Sequence, residues 1–225
     1  MGISKSHHIT LFENIMAIRT AFPIYINEID WDQPDWWYDN LLEAGFELTD
    51  DIPADKENFV FAFSDENIEK YPVLRDLKHM FSVAIKDLVA KYDNNRVKPG
   101  DIDKRLAESE PEFPSREHKN YPVPVPHFHP LVSCIGLFYI DGGEEDEGGD
   151  LVLLDPSNNQ LAEFVSPEVE YIKPKRGKMV IFPALIRHGV TRYTGNTNRR
   201  VIVLDIMHLG ASDENGYSGW DGTAD

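Results

Sequence analysis

Three histidines at two places in the sequence have the type and spacing of metal ligands. His127 and His129 lie in the segment PHFHP, and His188 follows the apolar segment KMVIFP. In a strand, residues i and i+2 point to the same side, so His127 and His129 can present two imidazoles to one ion. The prolines on either side of this pair exclude a helix there. Because imidazole suits iron, zinc, copper and nickel alike, the histidines predict a metal site without choosing the metal.

Two arginines after His188 add a second kind of chemistry. Arg199 and Arg200 open the apolar segment VIVLDI. An arginine at the mouth of an apolar strand must find a partner or reach solvent, and its planar fork suits a bidentate contact with a carboxylate. A dicarboxylate cosubstrate that chelates the metal at one end and meets an arginine at the other explains this layout. The plainer alternative is a pair of edge charges that discourage aggregation.

Six short apolar segments in the second half of the chain are predicted to be the strands that position these residues. Turn clusters such as DGG, EGGD, KRG and TGNTN separate them, at a spacing typical of a β-sandwich or barrel. The predicted strands cover 133–141, 150–155, 168–174, 178–183, 188–193 and 199–209. The acidic run 144–147 between two of them is interpreted as a solvated hairpin loop, with a calcium site as the alternative.

The first half of the chain predicts a mixture of helices and strands. Strands are expected at 22–31 and 57–64, a short helix from 34 to about Gly45, and a longer helix at 73–92 with one apolar stripe. The polar, proline-bearing stretch 93–126 predicts a long loop with at most one helical turn, at 103–109. His79 is expected to face solvent from the long helix, and His7, His8, His118 and His208 are interpreted as surface residues.

Composition excludes several classes of function. Asp and Glu outnumber Lys and Arg by 39 to 22, for a net charge of −17, which disfavours binding to a nucleic-acid backbone. Cys134 is the single cysteine, so the chain forms no internal disulfide, which suits a reducing cytoplasm. No stretch approaches the apolar length that spans a bilayer, and no Gly-rich phosphate loop or Gly-x-Ser-x-Gly segment is present.

The order of these motifs resembles the 2-oxoglutarate/iron(II)-dependent oxygenase superfamily, and more narrowly its prolyl-4-hydroxylase-like and uncharacterised bacterial and phage branches. The resemblance covers about 126–209: the His-x-His pair, GLFYIDGGEEDEGGDLVLLDP, KPKRGKMVIFPALIRHGV and the arginine-led strand. It implies a mainly β fold, a double-stranded β-helix (jelly roll, cupin-like), with an N-terminal α/β extension. We place the extension at residues 1–110 and the metal-binding core at 111–225.

The resemblance also implies roles for individual residues. His127 and His188 take the two histidine ligand positions, and Arg200 meets the distal carboxylate of 2-oxoglutarate, with Arg199 as its competitor. Tyr139 lies on the strand where such enzymes place a side chain near the cosubstrate. The family usually has Asp or Glu where this chain has His129. Either His129 is the third ligand, or a carboxylate completes the set, or a position stays open for halide; the candidate carboxylates are Asp150, Asp155 and Asp205.

The activity implied is oxidative decarboxylation of 2-oxoglutarate coupled to C–H oxidation, a hydroxylase reaction that uses Fe(II) and dioxygen. The substrate, a small molecule or a peptidyl group, is expected to contact the proline-rich loop before His127 and the aromatic residues Trp36, Trp37 and Phe61. Two alternatives are a cupin-type dioxygenase or isomerase without 2-oxoglutarate, and a non-catalytic acidic binding module.

Overall fold

Two antiparallel sheets and a layer of helices form the part of the chain that the computed structural model describes, residues 16–21, 24–49, 59–92, 97–114, 126–155, 169–207 and 209. The helices are α1 (Asp35–Thr49), α2 (Asp65–Lys70), α3 (Val73–Lys91) and α4 (Pro99–Glu108). The strands are β1 (Met16–Ala21), β2 (Ile24–Asp30), β3 (Phe59–Val60), β4 (Glu112–Phe113), β5 (Val132–Gly142), β6 (Leu151–Leu154), β7 (Val169–Ile172), β8 (Lys178–Pro183), β9 (Arg187–Val190) and β10 (Arg199–Met207).

Strand pairing separates these strands into a large sheet and a small one. Within the described residues, the large sheet has the order β1-β2-β8-β5-β10-β4-β3, and the small sheet has the order β7-β6-β9. Every pairing is antiparallel. Because β5 and β10 lie next to each other and β9 belongs to the small sheet, residues far apart in sequence meet where the two sheets face each other.

The alternation of strand side chains produces two hydrophobic cores. On β5, Leu137 and Tyr139 pack in the core between the sheets, together with Leu151, Leu153 and Phe182. Phe138 and Ile140 point the other way and pack in the core beneath the helices, with the apolar faces of α1 and α3. The inter-sheet core forms the apolar interior beside the candidate site, and the helical layer supports the outer face of the large sheet.

The six strands predicted after residue 126 are all present as β5 to β10, and the long helix is α3, with His79 exposed as expected. The strand predicted at 22–31 is β2, whereas the one predicted at 57–64 is only the two residues of β3. The structure adds β1, α2 and β4, which were not predicted. The structure of His7, His8, His118 and His208 lies outside the described residues.

The expectation of a loop at 93–126 was wrong for its first part, where α4 runs for ten residues. Pro99 opens the helix, and the Asp101 carboxylate accepts a hydrogen bond from the Lys98 backbone N–H at 2.9 Å. Ile102 and Leu106 are spaced four residues apart and bury their side chains in the helical core. The helix forms because its capping residues and this short apolar stripe act together.

Helix α1 does not end near Gly45, as expected, but continues to Thr49. A Cβ at position 45 would lie 2.1 Å from the Phe113 ring, so the glycine is required for a close contact with β4 and does not terminate the helix. The Phe113 ring packs edge-on against Phe46, with 5.4 Å between ring centroids. Gly45 therefore joins the helical layer to the edge of the large sheet.

This contact predicts that Gly45→Ala destabilises the protein, although alanine normally favours a helix over glycine by about 1 kcal/mol. The added methyl group must displace the Phe113 ring, and overpacking of this kind costs about 1–3 kcal/mol. Gly100→Ala in α4 is the matched control, because a Cβ there meets no atom within 4 Å. Urea unfolding of both variants tests the prediction, and a Gly45→Ala protein as stable as the control would contradict it.

The boundary predicted near residue 110 stays a prediction, although the first half of the chain contributes strands to the same large sheet. β2 pairs with β8 from Asn27 opposite Ile181 to Asp30 opposite Lys178.

None of the helices in the described part of the chain combines the length and the apolar character needed to cross a membrane.

Candidate metal centre

The backbone brings His127 and His188 side by side. The two residues form an isolated β-bridge, in which the His127 N–H donates to the His188 carbonyl at 3.0 Å and the His188 N–H donates to the His127 carbonyl at 2.8 Å. His188 belongs to β9 and stands opposite Leu153 of β6. Two residues after His127, the His129 N–H donates to the Ala184 carbonyl at 3.2 Å. The HxH segment is thus fixed between β9 and the turn that follows β8.

The three imidazoles converge on one point. The ring centroids of His127 and His188 are 4.6 Å apart, and that of His129 lies 5.1 Å from each of them. One nitrogen from each ring lies within 4.8 Å of the others. Among the His, Cys, Asp and Glu side chains of the described residues, these three histidines form the group that could hold a metal ion. His188 is buried, His129 is half-buried and His127 is exposed, so the group opens to the surface on one side.

Hydrogen bonds at the outer ring nitrogens fit the histidines for metal binding. The His129 Nδ1–H donates to the Asp205 carboxylate at 2.7 Å, and the His188 Nδ1–H donates to the Ile186 carbonyl at 3.0 Å. Each bond leaves Nε2 as the donor atom for a metal, an arrangement common to metal-bound histidines. The Nε2 atoms of His127 and His129 are 3.1 Å apart. Two nitrogens that each lie about 2.1 Å from one ion, at a right angle, are about 3.0 Å apart.

The surroundings shift the pKa values of two of the histidines in opposite directions. Burial lowers the pKa of His188 to about 4, so this imidazole is neutral at pH 7 and offers its lone pair to a cation. The hydrogen bond to Asp205 raises the pKa of His129. Burial also raises the pKa of the nearby Glu112 carboxyl. The donor set therefore combines one strictly neutral imidazole with one that a carboxylate makes more basic.

The two candidate arginines lie on opposite faces of the large sheet. Arg199 is 8% exposed, donates from Nε to the Gly149 carbonyl at 2.8 Å, and holds its guanidinium 5.3 Å from the centre of the Tyr139 ring. Arg200 points to the helical layer, where it pairs with Asp141 at 3.1 Å and covers the Phe46 ring. The structure therefore brings Arg199, and not Arg200, to the face of β10 that carries Asp205 and meets the histidines.

Arg199 is a buried cation without a carboxylate partner among the described residues. A charge in such a place normally requires an anion. The Tyr139 hydroxyl is buried close to this guanidinium without a hydrogen bond of good geometry. Burial raises the pKa of Tyr139, so the hydroxyl stays protonated and can donate. Among the described residues, the Tyr139 hydroxyl thus has no acceptor, and the Arg199 guanidinium has a carbonyl acceptor but no carboxylate.

The remaining sequence candidates lie elsewhere. None of the three candidate carboxylates, Asp150, Asp155 and Asp205, joins the histidine group. Asp205 contacts His129 at Nδ1, on the ring edge opposite the nitrogen that faces the other histidines. Trp37 and Phe61 are buried in the helical core, so the expectation that they contact a substrate was wrong, whereas Trp36 is exposed. The proline-rich residues 115–125 lie outside the described residues.

Apolar side chains stand exposed beside the histidines. Phe128 lies between His127 and His129, Leu131 follows them, and Leu185 is next to the Ala184 carbonyl that holds His129. By contrast, a cavity of about 500 Å³ lies between the loop after β5 and the turn before β8. It is lined by charged side chains, including Asp150 and Lys178, and includes none of the three histidines. These three exposed apolar residues, here called the apolar rim, are neighbours in sequence of residues that form or hold the candidate metal centre, whereas the charged cavity contains none of its histidines.

Residues 118–205 match the family model described as "Putative 2OG-Fe(II) oxygenase". The fold is similar to that of a prolyl 4-hydroxylase from Phytophthora capsici, with a TM-score of 0.51 and 17% identity over 83% of this chain. This chain covers 59% of the Phytophthora protein. A Pseudomonas putida prolyl-4-hydroxylase matches with a TM-score of 0.46 and 13% identity, over 81% of this chain and 92% of that one.

No curated protein matches the sequence. The likeness to the Phytophthora structure confirms the predicted double-stranded β-helix with N-terminal helices. The family match covers all three histidines and both arginines. Enzymes of that family use iron(II) and 2-oxoglutarate. Residues 118–205 of this chain are therefore similar to the 2-oxoglutarate/iron(II)-dependent oxygenase family.

Proposed function

We propose that this chain is a dioxygenase in which His127, His129 and His188 hold iron(II) and Arg199 binds the distal carboxylate of 2-oxoglutarate. The observation that carries this proposal is the convergence of three imidazole donors within 4.8 Å, two of them fixed through Nδ1. Iron(II), when bound, supplies the dioxygen chemistry that couples decarboxylation of 2-oxoglutarate to oxidation of a substrate C–H bond.

The residues around the metal divide the remaining tasks. His188, neutral and buried, gives a donor that protons do not block at pH 7. The Arg199 guanidinium, with the Tyr139 hydroxyl beside it, offers charge-assisted hydrogen bonds to one carboxylate of the cosubstrate. The inter-sheet core around them excludes water and strengthens these electrostatic contacts.

Arg199 is preferred over Arg200 for two reasons. Arg200 already has a carboxylate partner in Asp141 and packs on the helical layer. Arg199 is buried on the inner face without such a partner. If 2-oxoglutarate binds the metal through its 2-oxo acid end, its distal carboxylate is the anionic partner for Arg199 that the described protein residues do not provide.

The substrate is proposed to approach over the apolar rim formed by Phe128, Leu131 and Leu185. Its C–H bond must lie beside the metal, and these exposed side chains are close in sequence to His127 and His129 or to Ala184, whose carbonyl holds His129. The Phytophthora protein, whose fold is similar, is a prolyl 4-hydroxylase. A hydroxylase acting on a small molecule or a peptidyl group is therefore the function that we propose, without a commitment to proline.

Consumption of 2-oxoglutarate tests the function. The full chain, reconstituted with iron(II) and ascorbate in air, is expected to convert 2-oxoglutarate to succinate slowly even without its substrate, and a chelator is expected to stop the reaction. Protein prepared with zinc in place of iron is the matched control, since zinc has no redox chemistry. Binding of iron without any succinate formation would instead favour the cupin-type enzyme that needs no cosubstrate.

A further inference from the structure

Asp205 on β10 stands directly behind one of the three candidate ligands. Alternate residues of β10 face the inter-sheet side, and Asp205 lies on the same face as Arg199, Val201 and Val203. Its backbone pairs with Ile135 of β5, which packs in the inter-sheet core. From this position one carboxylate oxygen accepts the His129 Nδ1–H at 2.7 Å. The strand thus delivers a carboxylate to the outer edge of the imidazole ring.

His129 depends on this contact more than His188 depends on its own Nδ1 partner. His188 lies within β9 and its Nδ1–H is held by the Ile186 carbonyl, a backbone group two residues away. His129 lies outside the strands, and Leu131, two residues later, has a φ of 71°, in the left-handed region that a leucine rarely adopts. The backbone around His129 is therefore irregular, and the bond to Asp205 fixes which way the ring faces.

The same contact affects the charge of the ligand set. A carboxylate that accepts Nδ1–H makes the opposite nitrogen a stronger donor and selects the tautomer with Nε2 unprotonated. The second oxygen of Asp205 is buried and has no hydrogen-bond partner among the described residues, so within the described part of the chain this carboxylate accepts its hydrogen bond from His129. The resemblance to the oxygenase superfamily places a carboxylate ligand at the position of His129. In this chain the Asp205 carboxylate contacts the Nδ1 edge of His129, so the imidazole lies between the carboxylate and the proposed metal.

We infer that Asp205 is the positioning residue for the metal, acting through the His129 Nδ1–H to aim Nε2 at the site and to increase its donor strength. This inference rests on the proposed three-histidine metal centre. Loss of a partner in this outer position typically weakens metal affinity by about 10- to 100-fold. The effect is expected on metal binding itself, before any turnover.

Two substitutions separate the two parts of this role. Asp205→Asn keeps an acceptor for the His129 Nδ1–H but removes its charge, and Asp205→Ala removes both. Metal affinity of the full chain is to be measured with Co(II) by competition against a chromogenic chelator, without oxygen chemistry. We expect Asp205→Asn to weaken Co(II) binding by about 10-fold and Asp205→Ala by up to about 100-fold. Asp35→Asn, an exposed carboxylate on α1, is the matched control and should bind as the native protein does.

A spectroscopic readout distinguishes positioning from a general effect on stability. In the Co(II)-loaded native protein, the Nδ1–H protons of the bound histidines give shifted, exchangeable ¹H NMR signals. Asp205→Asn is expected to move the signal of His129 and to leave that of His188 in place. Both Asp205 variants binding Co(II) within twofold of the native protein, with unchanged signals, would overturn the inference. Failure of the native protein itself to bind Co(II), or full binding by His188→Ala, would instead refute the proposed metal centre.

Discussion

Replacing His188 with alanine is expected to abolish metal binding and, with it, the consumption of 2-oxoglutarate. His188 is the most buried of the three candidate ligands, and burial holds its pKa at about 4, so it is the donor that stays available at every pH above that value. No other described His, Cys, Asp or Glu side chain joins the group to replace it. Because loss of a residue that only hydrogen-bonds to a metal ligand already costs about 10- to 100-fold in affinity, loss of this ligand should cost at least about 100-fold.

Iron content after anaerobic reconstitution and gel filtration measures this effect. His188→Gln is the second variant, since it keeps most of the side-chain volume in the buried position and guards against a collapse of the β9 backbone. His79→Ala, at an exposed position of α3, is the control for loss of a histidine. Circular dichroism should give the native spectrum for all three variants. Iron retained at the native level in both His188 variants would contradict the three-histidine centre.

Arg199→Ala and Arg200→Ala are expected to have different effects, although the residues are neighbours in sequence. Without the Arg199 guanidinium, binding of 2-oxoglutarate loses a charge-assisted hydrogen bond of about 1.5–3 kcal/mol, which corresponds to about 10- to 150-fold in affinity. Arg200→Ala removes the ion pair with Asp141 and the contact with the Phe46 ring. It should therefore lower stability by about 1 kcal/mol and leave the affinity for 2-oxoglutarate within about twofold.

Each arginine variant serves as the control for the other, because both remove one positive charge from the first two residues of the same strand. The half-saturating concentration of 2-oxoglutarate and the urea midpoint are to be measured on both proteins. Arg199→Lys should give an intermediate affinity, since lysine keeps the charge but not the planar fork. The opposite result, with normal 2-oxoglutarate binding in Arg199→Ala and weak binding in Arg200→Ala, would return the role to Arg200.

The sequence predicted the β core well, and it identified the histidines as a candidate group, because both depend on local patterns. Alternating apolar segments between turn clusters identified β5 to β10, and the i, i+2 spacing identified His127 and His129 as a pair. The choice between Arg199 and Arg200 depends on register. A bulge in β5 shifts its pairing with β10 between Arg200 and Val201, so Arg200 meets Asp141 on the helical side. Such an irregularity leaves no mark in the sequence.

Long-range contacts account for what sequence reasoning missed. Helix α4 carried a readable signal, since a proline at its first position and Asp101 three residues after Lys98 are typical of a helix start. Gly45 could not be interpreted correctly, because its role depends on Phe113, 68 positions later in the chain. Asp205 was one of three carboxylates considered as a ligand, and only the tertiary structure places it at the Nδ1 edge of His129.

An anaerobic titration of the iron(II)-loaded protein with 2-oxoglutarate tests the central claim most directly. Chelation of iron(II) by the cosubstrate is expected to produce a weak visible charge-transfer band that saturates with 2-oxoglutarate. The band should be absent in His188→Ala and should require far more 2-oxoglutarate in Arg199→Ala. A protein that binds iron(II) but develops no band at any concentration of 2-oxoglutarate would contradict the assignment of a 2-oxoglutarate-dependent centre to these three histidines.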